Sequence, residues 1–198
     1  MSERIDLMAE WLAALGKVEP RHVEWMIAHG VASRIINLGR PYGLPCGAAV
    51  FGVTGIEPVD NQLYQPSEDG FSAVIVRTDV IGFDATPTDL VAFRPTEPAR
   101  WWRRIGADAL LNGDDAIDRA QAHDERLFVF ETPLDWMRVS CFGCVVLDPD
   151  ANLWREFTGI REIIADVPFE RAAAFDRQLR PPTPSLPKLT LPEWRCAP

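Results

Sequence analysis

The chain has 198 residues, of which 47% are hydrophobic, and a formal net charge of −9 at pH 7. This composition excludes wholesale disorder, and the length allows one substantial core or one domain with a small appended subdomain. The acidic balance repels phosphate backbones at long range, so contact with nucleic acid requires a local basic cluster. The chain has no basic-then-apolar leader and no apolar run long enough to span a bilayer, so we expect a cytoplasmic protein without a membrane partner.

Two short helices are predicted at the start of the chain. Apolar residues recur at helical spacing from Ile5 to Leu15, and Gly16 is suited to end that helix. A second helix is predicted over Arg21 to His29, with Pro20 in its first turn. The two helices form a helical hairpin over residues 1–36. Such a hairpin either packs or reads DNA, and the lack of a basic run favours packing.

Residues 37–124 are predicted to form a small α+β subdomain. After a turn-rich beginning, a strand is predicted over Ala48 to Val53. Strand-like runs from Phe71 to Arg77 and from Leu90 to Arg94 flank a second turn-rich segment, so we expect an antiparallel hairpin. A short helix is expected around Asp114 to Ala122.

A cluster of aromatic and basic side chains follows Pro98. The segment is predicted to be a helix with its tryptophans on a packed face and its arginines on a solvated flank. Aromatic rings beside guanidinium groups also suit single-stranded nucleic acid. The candidate nucleic-acid-binding residues are Arg100, Trp101, Trp102, Arg103 and Arg104.

From residue 125 to residue 180, short apolar runs alternate with acids and helical patterns. The runs are Leu127–Phe130, Cys144–Leu147 and Arg161–Ala165, the acids that follow them are Glu131, Asp148 and Asp166, and the helix-like segments are 132–138, 151–157 and 169–179. This alternation predicts an α/β fold with a small parallel sheet and covering helices. The acids should then converge at the carboxyl edge of the sheet, where ligands bind.

The three acids are candidate metal ligands. Magnesium prefers carboxylate oxygens, and a magnesium site at this edge would serve phosphoryl transfer. The alternative for Asp148 and Asp166, each taken singly, is a solvated loop residue or a helix N-cap.

The pair Cys141 and Cys144 has the spacing of half a zinc site or of a redox pair. No second such pair occurs in the sequence, and the pair lies at a predicted helix end rather than at a helix beginning. We therefore expect ordinary buried thiols.

The segment from Phe128 to Trp136 resembles the glutamate motif of Toprim domains, the metal-binding fold of bacterial-type primases and topoisomerases. The order of elements from Glu131 to the helix after Asp166 follows the Toprim order. The two strands upstream resemble the small subdomain that precedes Toprim in primase cores. The resemblance covers about residues 70–180 and implies a role in DNA replication.

The chain departs from the family pattern at the metal motif. Family members carry Asp-x-Asp, whereas here Asp166 is followed by Val and Pro, and Thr132 replaces the glycine after the motif glutamate. Asp148-Pro-Asp has the Asp-x-Asp form but follows the middle strand, one strand too early. The resemblance therefore implies a degenerate Toprim-like domain, as in primase cores of phages and mobile elements.

In such a domain Glu131 and Asp166 are vestigial catalytic residues. A metal site at Glu131, Asp148 and Asp166 would be weak or absent, so we expect no cofactor or only weakly bound magnesium. The remaining residues, 181–198, include six prolines and are expected to form an extended or disordered tail.

Three functions remain open from the sequence. The first is a non-catalytic Toprim-like protein that binds single-stranded DNA or a replication protein. The second is an active metal-dependent phosphotransferase or nuclease, against which the missing aspartate weighs. The third is an acidic α/β protein–protein interaction module without a nucleic-acid role.

Overall fold

The computed structural model describes residues 5–36, 50–78, 86–113 and 116–180. The helices in these ranges are α1 (Leu7–Leu15), α2 (Pro20–Ala28), α3 (Ser33–Ile36), α4 (Ala116–His123), α5 (Pro133–Arg138) and α6 (Phe169–Gln178). The strands are β1 (Gly52–Pro58), β2 (Tyr64–Pro66), β3 (Phe71–Arg77), β4 (Leu90–Arg94), β5 (Glu97–Arg103), β6 (Leu110–Gly113), β7 (Leu127–Phe130), β8 (Gly143–Val146) and β9 (Ile163–Asp166). The fold is therefore mixed α/β, as the sequence predicts.

The first sheet is antiparallel and has the strand order β2-β1-β3-β4-β5. The predicted hairpin is confirmed, since β3 pairs antiparallel with β4 and Val74 lies opposite Phe93. The strand predicted over Ala48 to Val53 begins at Gly52, and the first two residues of that prediction lie outside the described residues.

The segment after Pro98 is strand β5, so the helix predicted there is wrong. Strand β5 pairs with β4, with Trp101 opposite Phe93 and Trp102 opposite Ala92. Successive side chains of a strand point to opposite faces. Trp101 accordingly packs on the core between the sheets, and Trp102 is buried on the far face of the first sheet. Aromatic side chains suit a strand that packs on both faces. The helix prediction rests on the spacing of residues within the segment, which does not show the contacts with the neighbouring strand.

The second sheet has the order β6-β8-β7-β9. Strand β7 lies parallel to both β8 and β9, as expected of the three apolar runs. The sheet is mixed rather than wholly parallel, because β6 joins its edge antiparallel to β8. Both β6 and α4 precede the subdomain boundary predicted at residue 124, yet they pack with this second sheet.

The helix-like segment predicted over residues 151–157 is a series of turns, so that prediction is wrong. Polar side chains bond the local backbone there. The Asp148 carboxylate accepts from the backbone N–H of Asp150, and the Asn152 side chain accepts from that of Trp154. Asp and Asn side chains that accept from the backbone two residues ahead favour turns over a helix.

Helices cover both sheets. Helix α1 packs Leu7, Trp11 and Ala14 on the outer face of the first sheet. The inner faces of both sheets share a core with α2 and α5, which contribute Met26 and Trp136. Helices α4 and α6 cover the outer face of the second sheet. This packing leaves the carboxyl ends of the parallel strands at the rim between β5 and α6. No helix within the described ranges has the length and apolar character needed to cross a bilayer.

Candidate functional site

The three predicted acids follow the parallel strands at one edge of the second sheet. In the ladders around β7, Phe130 lies opposite both Val145 of β8 and Asp166 of β9. Among the described residues, however, no three His, Cys, Asp or Glu side chains are grouped so that they could hold a metal ion. The common edge is therefore present, but the acids are spread along it.

Asp148 has a structural partner. Its Oδ2 lies 3.3 Å from Nη1 of Arg103, and its Oδ1 accepts from the backbone N–H of Asp150 at 2.9 Å. Asp166 is exposed at the end of β9, and Glu131 is half-buried after β7. A carboxylate that compensates a buried guanidinium is poorly placed to bind a cation as well.

The predicted solvated flank of arginines is wrong for Arg103 and Arg104. Arg103 is 5% exposed and donates to the side chain of Gln62 and to the carbonyl of Asp108. Arg104 binds both carboxylate oxygens of Glu10, at 2.7 and 2.9 Å. Because β5 is a strand, these arginines reach acids and carbonyls of other elements rather than solvent. Neither guanidinium is available to a phosphate.

Of the two predicted tryptophans, only Trp101 remains accessible. Trp102 is 2% exposed, and the Arg100 guanidinium carbon lies 5.0 Å from its ring centroid. Trp101 is half-buried, and its indole N–H donates to the carbonyl of Leu147, which holds the ring against the loop after β8. Trp101 is thus the member of the predicted set that faces the carboxyl edge, whereas the exposed Arg100 side chain lies with Trp102 on the far face of the first sheet.

Arg171 of α6 completes this group, although it is not among the predicted residues. Its guanidinium carbon lies 5.0 Å from the Trp101 ring centroid, and its Nη1 donates to the backbone carbonyl of Glu131 at 3.4 Å. The sequence does contain a signal for it. Arg171 lies in the first turn of the helix after the third parallel strand, and such turns face the ligand edge of an α/β sheet.

Two adjacent cavities open at this edge, and we refer to them together as the crevice. The inner cavity has a volume of about 130 Å³, and the outer cavity one of about 160 Å³. The inner cavity is lined by Trp101, Val129, Phe130, Glu131, Val146, Pro149, Val167, Arg171, Ala174, Phe175 and Gln178. The outer cavity is lined by Asn61, Gln62, Ala99, Arg100, Trp101, Leu147, Pro149 and Arg171. The stacked pair of Trp101 and Arg171 belongs to both linings.

Glu131 is the acid that lines the inner cavity. Within the described ranges, its carboxylate makes no hydrogen bond and no ion pair, since the bond from Arg171 goes to its backbone carbonyl. The crevice therefore combines an aromatic ring, the Arg171 guanidinium and one unpaired acceptor. This arrangement suits a planar ligand that also carries negative charge.

Gln178 fixes one wall of the crevice. Its side-chain amide nitrogen lies within hydrogen-bond distance of the carbonyls of Asp148, Pro149 and Ala151, at 3.0, 2.9 and 3.1 Å. These contacts tie the end of α6 to the loop after β8. These hydrogen bonds therefore hold this wall of the crevice in place.

The cysteines of the Cys-x-x-Cys segment are buried thiols, as expected. Burial raises the pKa of Cys144 to about 12, so its thiolate is scarcely populated at neutral pH. The segment makes a tight return from α5 to β8, in which Ser140, Cys141 and Gly143 have φ values of 68°, 61° and 88°. Its role is structural.

Comparison of the chain with protein-family models, curated proteins and solved structures gives no match.

Proposed function

We propose that this chain is a non-catalytic, Toprim-like protein of a phage or mobile-element replication module, and that it binds single-stranded DNA in the crevice. The observation that carries the proposal is the stacking of the Arg171 guanidinium on the Trp101 ring at the carboxyl edge of the parallel strands. Successive bases of a single strand stack on such rings, and guanidinium groups neutralise its phosphates.

Binding without catalysis is favoured by the arrangement of the acids. Magnesium in phosphoryl-transfer sites is held by carboxylates together with substrate phosphates. Here the Asp148 carboxylate lies against the Arg103 guanidinium. Of the described residues that line the inner cavity, Glu131 is the single acid. The missing second aspartate after Asp166 points the same way.

A single strand is favoured over a duplex by the shape of the crevice. Its two cavities, of about 130 and 160 Å³, are each too small for a base pair, but an unstacked base fits such a concavity. With a net charge of −9, the chain attracts DNA only where cations cluster. Arg171 supplies an exposed cation at the crevice.

The test is binding of fluorescent single-stranded oligonucleotides, measured by anisotropy at two salt concentrations. The R171Q variant should lose most of the binding. If Arg171 neutralises one phosphate, the slope of log affinity against log salt should also become shallower by ~0.7, the value for one single-strand phosphate.

The matched control is the R161Q variant. Arg161 is exposed and lies at the opposite, amino edge of the same sheet, before β9. This variant loses the same single charge but should bind like the wild type. An equal loss in both variants would mean that binding follows net charge rather than the crevice. No saturable binding by the wild type would overturn the proposal and leave the protein–protein interaction module.

A further inference from the structure

We infer that the inner cavity takes one pyrimidine base and prefers cytosine to thymine, while the adjacent phosphate lies at Arg171. The inference rests on the proposed function and adds a base preference to it. It follows from the size of the inner cavity, from the unpaired acceptor in its lining and from the position of Arg171.

The size of the inner cavity matches one six-membered ring. Its volume is about 130 Å³, and its lining is mainly apolar, with Val129, Val146 and Phe175 among the walls. An apolar protein cavity of about 150 Å³ is known to hold a benzene molecule. A pyrimidine ring has nearly the same dimensions, whereas a two-ring purine base would extend beyond the cavity.

The Glu131 carboxylate in the lining distinguishes cytosine from thymine. The Glu131 carboxylate only accepts hydrogen bonds when it is ionised, and within the described part of the chain it has no partner. Cytosine carries an amino group at C4 that donates to a carboxylate. Thymine carries a carbonyl oxygen at that position, which would face the carboxylate as a second acceptor. Cytosine is therefore the better match.

The outer cavity provides the place for the phosphate. Arg171 lines it, and Asn61 and Gln62 belong to the same lining. The Arg171 side chain is already positioned, because it stacks on Trp101 and donates to the Glu131 carbonyl. Trp101 and Arg171 border both cavities, so a nucleotide can place its base on one side of this pair and its phosphate on the other.

The experiment compares short oligodeoxycytidylate with oligodeoxythymidylate by fluorescence anisotropy, at one salt concentration, for the wild type and the E131Q variant. We expect the wild type to bind the cytosine strand about three to ten times more tightly, which is the usual range for one hydrogen bond. The E131Q variant should lose this preference, because a glutamine amide offers both a donor and an acceptor.

The control variant is D176N. Asp176 is exposed on α6, pairs with Arg180 and does not line the crevice. The D176N substitution removes one negative charge from the helix that carries Arg171. The variant should keep the preference for cytosine. If D176N and E131Q change binding in the same way, the effect is one of charge, and the assignment of Glu131 as the reading group is overturned.

The outcomes separate the two proposals. Equal, saturable binding of both strands by the wild type would overturn the base preference and leave the proposed function standing. No binding of either strand would remove both proposals. Deoxycytidine and thymidine monophosphates are added as competitors of the oligonucleotide. They test whether the cavity binds a base within a strand or a free nucleotide. Weak displacement with the same cytosine preference supports a base read within a strand, whereas a monophosphate that competes as strongly as the strand would overturn that assignment.

Discussion

The Arg103 guanidinium of β5 lies 3.3 Å from the carboxylate of Asp148, so one ion pair joins the first sheet to the loop that follows β8. Arg103 is 5% exposed, which means that its charge depends on protein partners. Asp148, which the sequence marks as a metal candidate, is thereby used to compensate a buried cation.

The D148N variant should therefore be destabilised by about 2 kcal/mol. Removing one member of a fully buried ion pair costs roughly 3–5 kcal/mol, and the side chain of Asp148 is 26% exposed, which lowers the expected loss. Urea unfolding followed by tryptophan fluorescence measures the change. The control is D150N, because Asp150 is exposed, and its substitution should stay within about 0.5 kcal/mol. Equal effects of both variants would contradict the structural role of Asp148.

Asp89 is predicted to be the more sensitive acid. Its carboxylate is fully buried and accepts from the backbone N–H groups of Leu90, Arg104, Ile105 and Ala107. The D89A variant would leave these donors unpaired at a cost of about 1–3 kcal/mol for each buried group, so loss of folding is the expected result. The D89N variant retains one accepting oxygen and should be affected less. Circular dichroism and urea unfolding of both variants provide the test.

Alkaline pH should destabilise the fold through Cys144. Its ordinary pKa is 9.0, and burial raises the pKa in the folded state to about 12. Between these values the unfolded chain loses the proton while the folded chain keeps it. The contribution of Cys144 to stability is therefore fully present below pH 9 and is lost as the pH rises toward 12, by at most about 1.4 kcal/mol per pH unit.

The measurement is the free energy of unfolding against pH, for the wild type and for C144A. The alanine variant starts from a lower stability because it leaves a cavity. Its decline above pH 9 should be shallower, since this thiol no longer titrates. Parallel curves for the two proteins would show that the ionisation of Cys144 does not contribute.

Gly143 and Gly159 offer a matched test of backbone strain. Their φ values are 88° and 89°. A Cβ atom on Gly143 would lie 2.4 Å from the Phe128 carbonyl oxygen, whereas one on Gly159 would meet nothing within 4 Å. The free energy of unfolding of the G159A variant should fall by about 1 kcal/mol, because alanine is strained at this positive φ. That of the G143A variant should fall by clearly more, since β8 must also move away from β7. Thermal unfolding compares the two, and equal losses would contradict the close approach.

The parts of the fold that the sequence predicts are those fixed by local signals. Helix α2 begins at Pro20, α5 lies within the predicted segment 132–138, and the parallel arrangement of β7, β8 and β9 follows from short apolar runs separated by polar segments. Each of these signals lies within a few residues of the element that it defines, so a single sequence is enough to read them.

The parts that escape prediction depend on distant partners. Arg104 pairs with Glu10, which is 94 residues away in the chain, and Arg103 pairs with Asp148 across the two sheets. Without those partners in view, clustered arginines indicate a solvated face. Arg171 is missed for the same reason. Its contact with Trp101 joins α6 to β5, and these elements come together only in the tertiary fold.

Strand β6 has a further consequence for excised pieces of this chain. It pairs with β8 through Leu110 to Gly113, although it comes before α4 in the sequence. A fragment that starts at β7 would lack this strand, and the outer hydrogen-bonding edge of β8 would be open. Open edges of this kind recruit strands from other molecules. Such a fragment should therefore self-associate, and adding back a peptide with the β6 sequence should dissolve the aggregates by restoring the missing neighbour.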